Sequence, residues 1–405
     1  MGKVKHIISA TLLSILALST PCVTRAAGVN QFNATVDSPP DSGILDSTGR
    51  APLSRKDPDS GLNAVDAPRS TLFPRWTVSA ETLILDRSGT ADRSLVERAP
   101  GGVAFNKVVS APSTPALNSG DLDQGFSPGF KLGATYQVDP NYGLELSFFR
   151  VGGWDSTRSI GPDNPPNWLV MKAPGVFFQT QDFPYQSMSW DYSTDLYSAE
   201  FNVRHKLSKR ITVLAGFRRL QLNENLQGSL GPPDRFLPTW KYNPSDNLFD
   251  VEQIENQGTP ATGAFPPFWN TSTTNNLYGL QIGADGKLFV RGRFSIDALI
   301  KAGGYLNRAS ESTDVSLQKV VYSSSSSGNH AAFVGEVGLQ CKYRFASGLG
   351  LELGYEAVWI EGVALAPGQI QQTYIGGPAS VTSLGVNSDS GVLFHGVTAG
   401  LEYSF

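Results

Sequence analysis

Cysteine is almost absent from this chain, with two among 405 residues, Cys22 and Cys341. If Cys22 leaves with an export leader, Cys341 has no partner and an intrachain disulfide is excluded. Leu339 and Tyr343 share its phase, which makes Cys341 a small packed or lipid-facing residue rather than a reactive thiol. Histidine is equally scarce, with four residues, and no His/Cys cluster has metal-ligand spacing. Charged residues make up 17%, are mixed in sign and sum to -4, which argues against a nucleic-acid partner. Beyond the N-terminal leader no run of about 18 apolar residues occurs, so the sequence offers no membrane-spanning helix. Glycine, with 42 residues, and aromatics, at 10%, are plentiful instead, and they point to an all-β protein.

The N-terminus reads as an export signal. Lys3 and Lys5 precede an apolar stretch from Ile7 to Leu18, and Thr24-Arg25-Ala26 offers a small-x-small cleavage site. Cleavage is expected after Ala26, with Ala27 as the alternative, giving a signal peptide over 1–26. Pro21 before Cys22 argues against a lipoprotein anchor. Residues 27–73 are rich in Pro, Asp, Ser and Asn without periodicity, and are expected to be a disordered periplasmic segment. Asp57, Asp59 and Gly61 hint at a calcium loop, but the later Glu that such a loop needs is missing, so a solvated turn is expected.

From residue 74 to 405 the pattern changes to alternation with period 2. The last nine residues, Val397 to Phe405, are apolar at every odd position and small or polar at every even one. Ten such segments can be laid down: Trp76–Arg87, Gly129–Val138, Gly143–Trp154, Ser189–Leu207, Arg210–Asn223, Asn275–Leu288, Arg293–Asn307, Ala331–Phe345, Leu349–Gly362 and Val392–Phe405. Tight turns at Asp139–Tyr142, Ser208-Lys209, Phe289–Gly292 and Ala346–Gly348 alternate with long links. The links cover Ser88–Pro128, Asp155–Met188, Glu224–Thr274, Arg308–His330 and Val363–Gly391. That alternation is expected of a closed antiparallel transmembrane β-barrel with short periplasmic turns and long outer loops. Ten strands are expected, with twelve as the fallback if Trp240–Tyr242 and Val251–Ile254 form a hairpin within the wall.

The two phases define two faces. One carries Phe294, Ile296 and Ile300, then Val337, Leu339, Tyr343, Leu351, Leu353 and Trp359. The other carries charge. A charge turned to mid-membrane lipid costs about 2–4 kcal/mol for Arg or Lys, so these residues are expected to line the lumen. They are Glu145, Glu200, Arg204, Asp297, Lys301, Glu336, Lys342, Arg344, Glu352, Glu356 and Glu402. Both signs are present, and in a narrow lumen they are expected to pair. Glycines such as Gly129, Gly283, Gly338, Gly354 and Gly400 share the inward phase and leave room there. Trp154, Trp190 and Trp359, near segment ends, are expected in an interfacial aromatic girdle.

Several short motifs carry a resemblance. They are Trp76-Thr77-Val78-Ser79-Ala80-Glu81, Gly143-Leu144-Glu145-Leu146, Asn275 to Ala284 with its Leu277-Tyr278-Gly279-Leu280 centre, and the closing Tyr403-Ser404-Phe405. On these, residues 74–405 resemble a family of β-barrel porins described from planctomycete genomes, often called BBP7. The resemblance implies a bacterial outer-membrane location and a pore, and brings no catalytic or binding residues. The strand ending at Phe405 also resembles the signal read by the β-barrel assembly machinery, which would be a partner together with outer-membrane lipid.

Catalysis is not expected. His330 lies nearest the outer rim with Asp314 as its candidate acid, yet nothing in the sequence brings them together. His395, on the outward phase, could serve a serine lipase at the membrane boundary, but no motif accompanies it. Gly283 to Leu288 lacks the first Gly and the Ser/Thr of a phosphate loop, and Gly348, Gly350 and Gly354 lie inside a segment rather than in a dinucleotide turn. No cofactor or metal is expected. Loop aromatics such as Phe183, Tyr185 and Trp269 are read as loop packing. The expected function is porin-like passive diffusion of small polar solutes or ions through a charge-lined lumen. The alternative is a non-conducting barrel whose long outer loops bind a partner or serve the envelope. Homo-oligomerisation stays open.

Overall fold

The computed structural model describes residues 74–88, 93–99, 113–162, 168–171, 173–174, 185, 187–231, 237–243, 245, 248–255, 268–317, 320–376 and 380–405. The signal peptide and the segment to residue 73 lie outside them. Ten strands form the wall: β1 (Trp76–Ser88), β2 (Phe126–Gln137), β3 (Tyr142–Ile160), β4 (Ser187–Lys206), β5 (Ile211–Gly231), β6 (Phe268–Arg291), β7 (Phe294–Leu317), β8 (Val320–Arg344), β9 (Leu349–Val363) and β10 (Ser390–Ser404). Each is antiparallel to the next, and β1 pairs with both β2 and β10, so the sheet closes on itself. Closure leaves no free edge, as a sheet in lipid requires. The chain is a ten-stranded transmembrane β-barrel.

The alternation works as side-chain sorting. On β6 and β7, Leu280 and Ile282 are about 70% exposed, while Gln281 and Lys301 on the opposite phase are buried. Without a bilayer the convex belt would be a very large apolar surface facing water. In lipid it is the stabilising face. At the short-turn end, aromatic pairs fringe the belt. Trp76 meets Tyr136 at 4.9 Å, Tyr142 stacks on His205 at 4.4 Å and Tyr403 on Phe405 at 5.6 Å.

Two expectations need correction. The Arg308–His330 stretch is not a loop. β7 and β8 stay paired from Asn307↔His330 out to Leu317↔Val320, which leaves only residues 318–319 as a link. Likewise β5 and β6 remain paired out to Ser229↔Phe268. Past the bilayer the outward residues become Asn, Ser and Thr, so the hydrophobic period vanishes while the backbone ladder continues. Second, Trp154 and Trp190 do not belong to a girdle, because both are fully buried inside the wall. A bulge between Gly152 and Trp154, with Gly153 at φ +82°, inverts the phase of β3 there and turns Trp154 inward. The suspected middle hairpin exists as Leu237–Asn243 paired with Leu248–Glu255, but it forms a separate two-stranded sheet and leaves the barrel at ten strands.

Candidate functional site

The interior is layered along the barrel axis. At the end with the short turns, a vestibule of about 740 Å³ opens between Pro140, Asn141, Lys209, Arg210 and Gly348. Its wall carries nine of the eleven expected lumen residues: Glu145, Arg204, Asp297, Lys301, Lys342, Arg344, Glu352, Glu356 and Glu402. Most are paired. Arg204 bridges Glu145 and Asp285. Lys342 Nζ lies 2.5 Å from Glu352 and 3.2 Å from Glu402, and Arg344 approaches Glu402 at 3.5 Å from the rim. Asp297 lines the same space with one carboxylate oxygen buried and unbonded.

Above the vestibule the remaining two, Glu200 and Glu336, close a compact quartet with Lys301 and Arg218. Lys301 Nζ sits 2.9 Å from Glu200 and 3.0 Å from Glu336. Arg218 holds Glu336 at 2.7 Å and Glu200 at 3.4 Å. All four side chains are at most 5% exposed. Gln281 Nε2 donates to Glu200 at 2.7 Å, and Ser198 accepts from Arg218 Nε at 2.9 Å. Beside the quartet, Lys131 on β2 bridges to Glu356 on β9 at 2.8 Å, across the barrel. The sequence reading missed Arg218 and Lys131. In both, the charge sits next to an outward-facing residue (Arg219, Leu132) on a phase that the inward Gly216 and Gly133 mark.

Two residues farther out on four strands the lumen turns apolar. Glu81 is followed by Leu83, Arg218 by Leu220, Glu336 by Val334 and Glu356 by Val358, all buried. Phe149, Leu196, Leu277, Tyr305 and Phe394 complete this layer, so every strand except β2 contributes to it. It packs against the link between β9 and β10, of which residues 364–370 are entirely buried. Hydrogen bonds from wall side chains to the backbone hold that link in place. Asn275 Nδ2 donates to the Ala364 carbonyl, and its Oδ1 accepts from the Ala364 amide, both at 2.8 Å. Ala366 N donates to Glu224 at 2.9 Å, and Asn307 to the Gly362 carbonyl at 3.0 Å. Glu224 also takes Tyr192 OH at 2.7 Å and the guanidinium of Arg87.

Outside this seal a second apolar cluster forms a cap. It joins wall residues Trp190, Tyr192, Leu226 and Trp269 to Leu95, Val96, Leu117, Leu169 and Ile370 from the outer links. Trp269 and Tyr185, expected in loop packing, are buried here. The pair weighed for rim catalysis is separated. Asp314 bonds Ser323 at 2.5 Å on the outward face, whereas His330 lies on the inward phase opposite Asn307. His395 meets Tyr355 OH at 2.7 Å and Asp86 at 3.6 Å on the convex surface.

No protein-family model and no curated protein matches the chain. Among solved structures it is similar to the outer membrane protease OmpT of Escherichia coli. Identity is 9% and the TM-score 0.38, over 83% of this chain and 99% of that one. The translocator domain of the autotransporter NalP from Neisseria meningitidis follows at 10% identity and TM-score 0.35, over 82% and 88%. The toluene transporter TbuX of Ralstonia pickettii stands at 9% and 0.31, over 82% and 89%. At these scores the likeness carries no function across.

Proposed function

We propose that this protein is a non-conducting, non-catalytic barrel of the bacterial outer membrane, whose outer links form a packed cap that serves the envelope or presents a fixed surface to a partner. The observation that carries this is the buried apolar layer spanning the lumen between the charged quartet and the cap. A hydrated ion crossing it would have to shed water among leucine, valine and phenylalanine side chains, where the nearby amides of Asn275 and Asn307 are already engaged in holding the link. Eight-stranded barrels are already filled by their side chains, while open aqueous channels belong to much larger ones. Ten strands with this content fall on the filled side. The location is supported by the apolar convex belt, the aromatic fringe and the closed edge.

Porin-like diffusion is the second reading. What favours it is the vestibule, a charge-lined space of about 740 Å³ at the end with the short turns. Passage would then require the segment 364–370 to leave the barrel. Planar-bilayer recording on the purified full chain separates the two. The non-conducting reading expects a flat baseline from wild type, and discrete steps only after residues 364–371 are replaced by a Gly/Ser linker. Steps from wild type would establish the pore instead.

A further inference from the structure

On the strands β3 to β7 the convex face changes character abruptly at one level. From the short-turn end, Leu144, Leu146 and Phe148 lead to Arg150 on β3; Val213, Ala215 and Phe217 lead to Arg219 on β5; Ile300 and Leu306 lead to Arg308 on β7. Tyr197 and Tyr278 occupy the same level on β4 and β6. Arg150 is paired with Tyr197, Tyr278 with Arg219, and Asn276, next to Tyr278, with Arg308. The guanidinium of Arg150 lies 5.0 Å from the Tyr197 ring, and those of Arg219 and Arg308 lie 5.7 and 6.0 Å from the Tyr278 ring. Eight residues separate Tyr142 from Arg150 and Ile211 from Arg219. At ~3.3 Å per residue and a tilt of ~40° that is about 20 Å, near the height of the apolar band of such barrels. The row therefore lies at the outer boundary of the bilayer.

All three guanidiniums are exposed, and among the described residues none has a carboxylate within 4 Å. Aromatic faces orient them without neutralising them. The row is one-sided, since at the outer ends of β1, β9 and β10 the outward charges are Asp86, beside His395, and Glu361. Directly beyond the row, a polar concavity of about 450 Å³ opens on the same convex face. It is lined by Asp195, Asn223, Asn225, Asn270, Ser272 and Asp314. Uncompensated guanidiniums at a membrane boundary match phosphate, which they grip with paired N–H donors. An array of amides, hydroxyls and carboxylates matches sugar hydroxyls.

We infer that Arg150, Arg219 and Arg308 form a binding site for a phosphorylated glycolipid of the outer leaflet, with phosphate on the arginines and sugar in the concavity. The site faces lipid and does not depend on whether the lumen conducts. Its test uses the full chain folded in detergent micelles, with diphosphoryl lipid A as the probe and the temperature of barrel unfolding, followed by heat-dependent gel mobility, as the readout. Wild type is expected to gain several degrees from this probe, and little from phosphatidylcholine, from the same glycolipid stripped of phosphate, or from inorganic phosphate. The variant R150Q/R219Q/R308Q is expected to lose most of that gain, whereas K206Q/K209Q at the opposite end keeps it. Should the triple variant fold poorly, R308Q alone and the charge-preserving R150K/R219K/R308K are each expected to show a reduced gain. An undiminished gain in the arginine variants overturns the site, as does an equal gain from phosphatidylcholine, the stripped glycolipid or inorganic phosphate alone.

Discussion

Lys301 on β7 and Glu336 on β8 face each other in register, and inside the barrel their charged atoms are 3.0 Å apart. With Arg218 and Glu200 they form a neutral group of two cations and two carboxylates. Removing one carboxylate leaves a buried positive charge. Glu336→Leu is therefore expected to destabilise the barrel by about 3–5 kcal/mol, since it breaks a buried ion pair from one side. Glu336→Leu combined with Lys301→Met leaves Arg218 facing Glu200 alone and should recover most of the loss. Urea midpoints in micelles, read from tryptophan emission, give both numbers; equal losses in the single and double variants would refute the coupling.

The two sides of one strand predict opposite costs for the same kind of truncation. Phe394 is fully buried in the apolar layer, against Trp154 at 5.0 Å between ring centres. Phe394→Ala is expected to cost about 3–5 kcal/mol, the range for truncating a core aromatic. Leu401, on the outward phase of the same strand, is half exposed and contacts lipid rather than a fixed core. Leu401→Ala should cost less than about 1 kcal/mol, because acyl chains flow into the space. The comparison needs only unfolding midpoints of two variants, and similar values would mean that the lumen is not packed as described.

Much of this architecture was legible in the sequence because lipid imposes a strict rule on one face. Ile296 and Ile300 against Asp297 and Lys301, or Leu351 and Leu353 against Glu352, state inside and outside without ambiguity. The filled lumen was harder to see. Where the interior is dry, both phases become apolar and the period fades, as in Leu83-Ile84-Leu85, Phe148-Phe149, Val358-Trp359-Ile360 and Val392-Leu393-Phe394. These double-faced stretches sit at one level of the barrel, and they are the signal for a blocked lumen. Trp154 escapes the simple alternation because a single bulge shifts every later side chain on β3 by one face. The Ser323–Ser327 run reads as a loop because serine has little strand preference, while its pairing to Ser310–Asp314 is supplied by the neighbouring strand.

Lipid-facing positions should reject charge in proportion to depth. Leu280 on β6 is 72% exposed and lies in the apolar belt between Tyr278 and Ile282. Leu280→Arg is expected to weaken folding into bilayers by about 1–2 kcal/mol, less than the cost at the midplane because Leu280 lies one step inside the boundary row. In contrast, Thr274→Arg on the same strand and face lies beyond the arginine row and should be nearly neutral. Folding into phosphatidylcholine vesicles from urea measures both. A neutral Leu280→Arg would place the bilayer elsewhere on the barrel.

Cys341 supplies a position marker that needs no new cysteine. It sits between Ile296 on β7 and Leu353 on β9 in register, on the convex face and part-exposed. A nitroxide attached there, in a Cys22→Ser background, is expected to meet dissolved oxygen far more often than a water-soluble nickel chelate once the barrel is in lipid, because oxygen concentrates in acyl chains and the chelate is excluded. Gln340 is one residue away and points into the lumen, within 3.4 Å of Glu81. With Cys341→Ser and Gln340→Cys in the same Cys22→Ser background, a label should lose that preference for oxygen. Adjacent residues with opposite accessibilities are a property of a strand whose two faces see different solvents. If both labels report the same environment, β8 does not separate lipid from lumen, and the assignment of Glu336 and Lys342 to the interior fails with it.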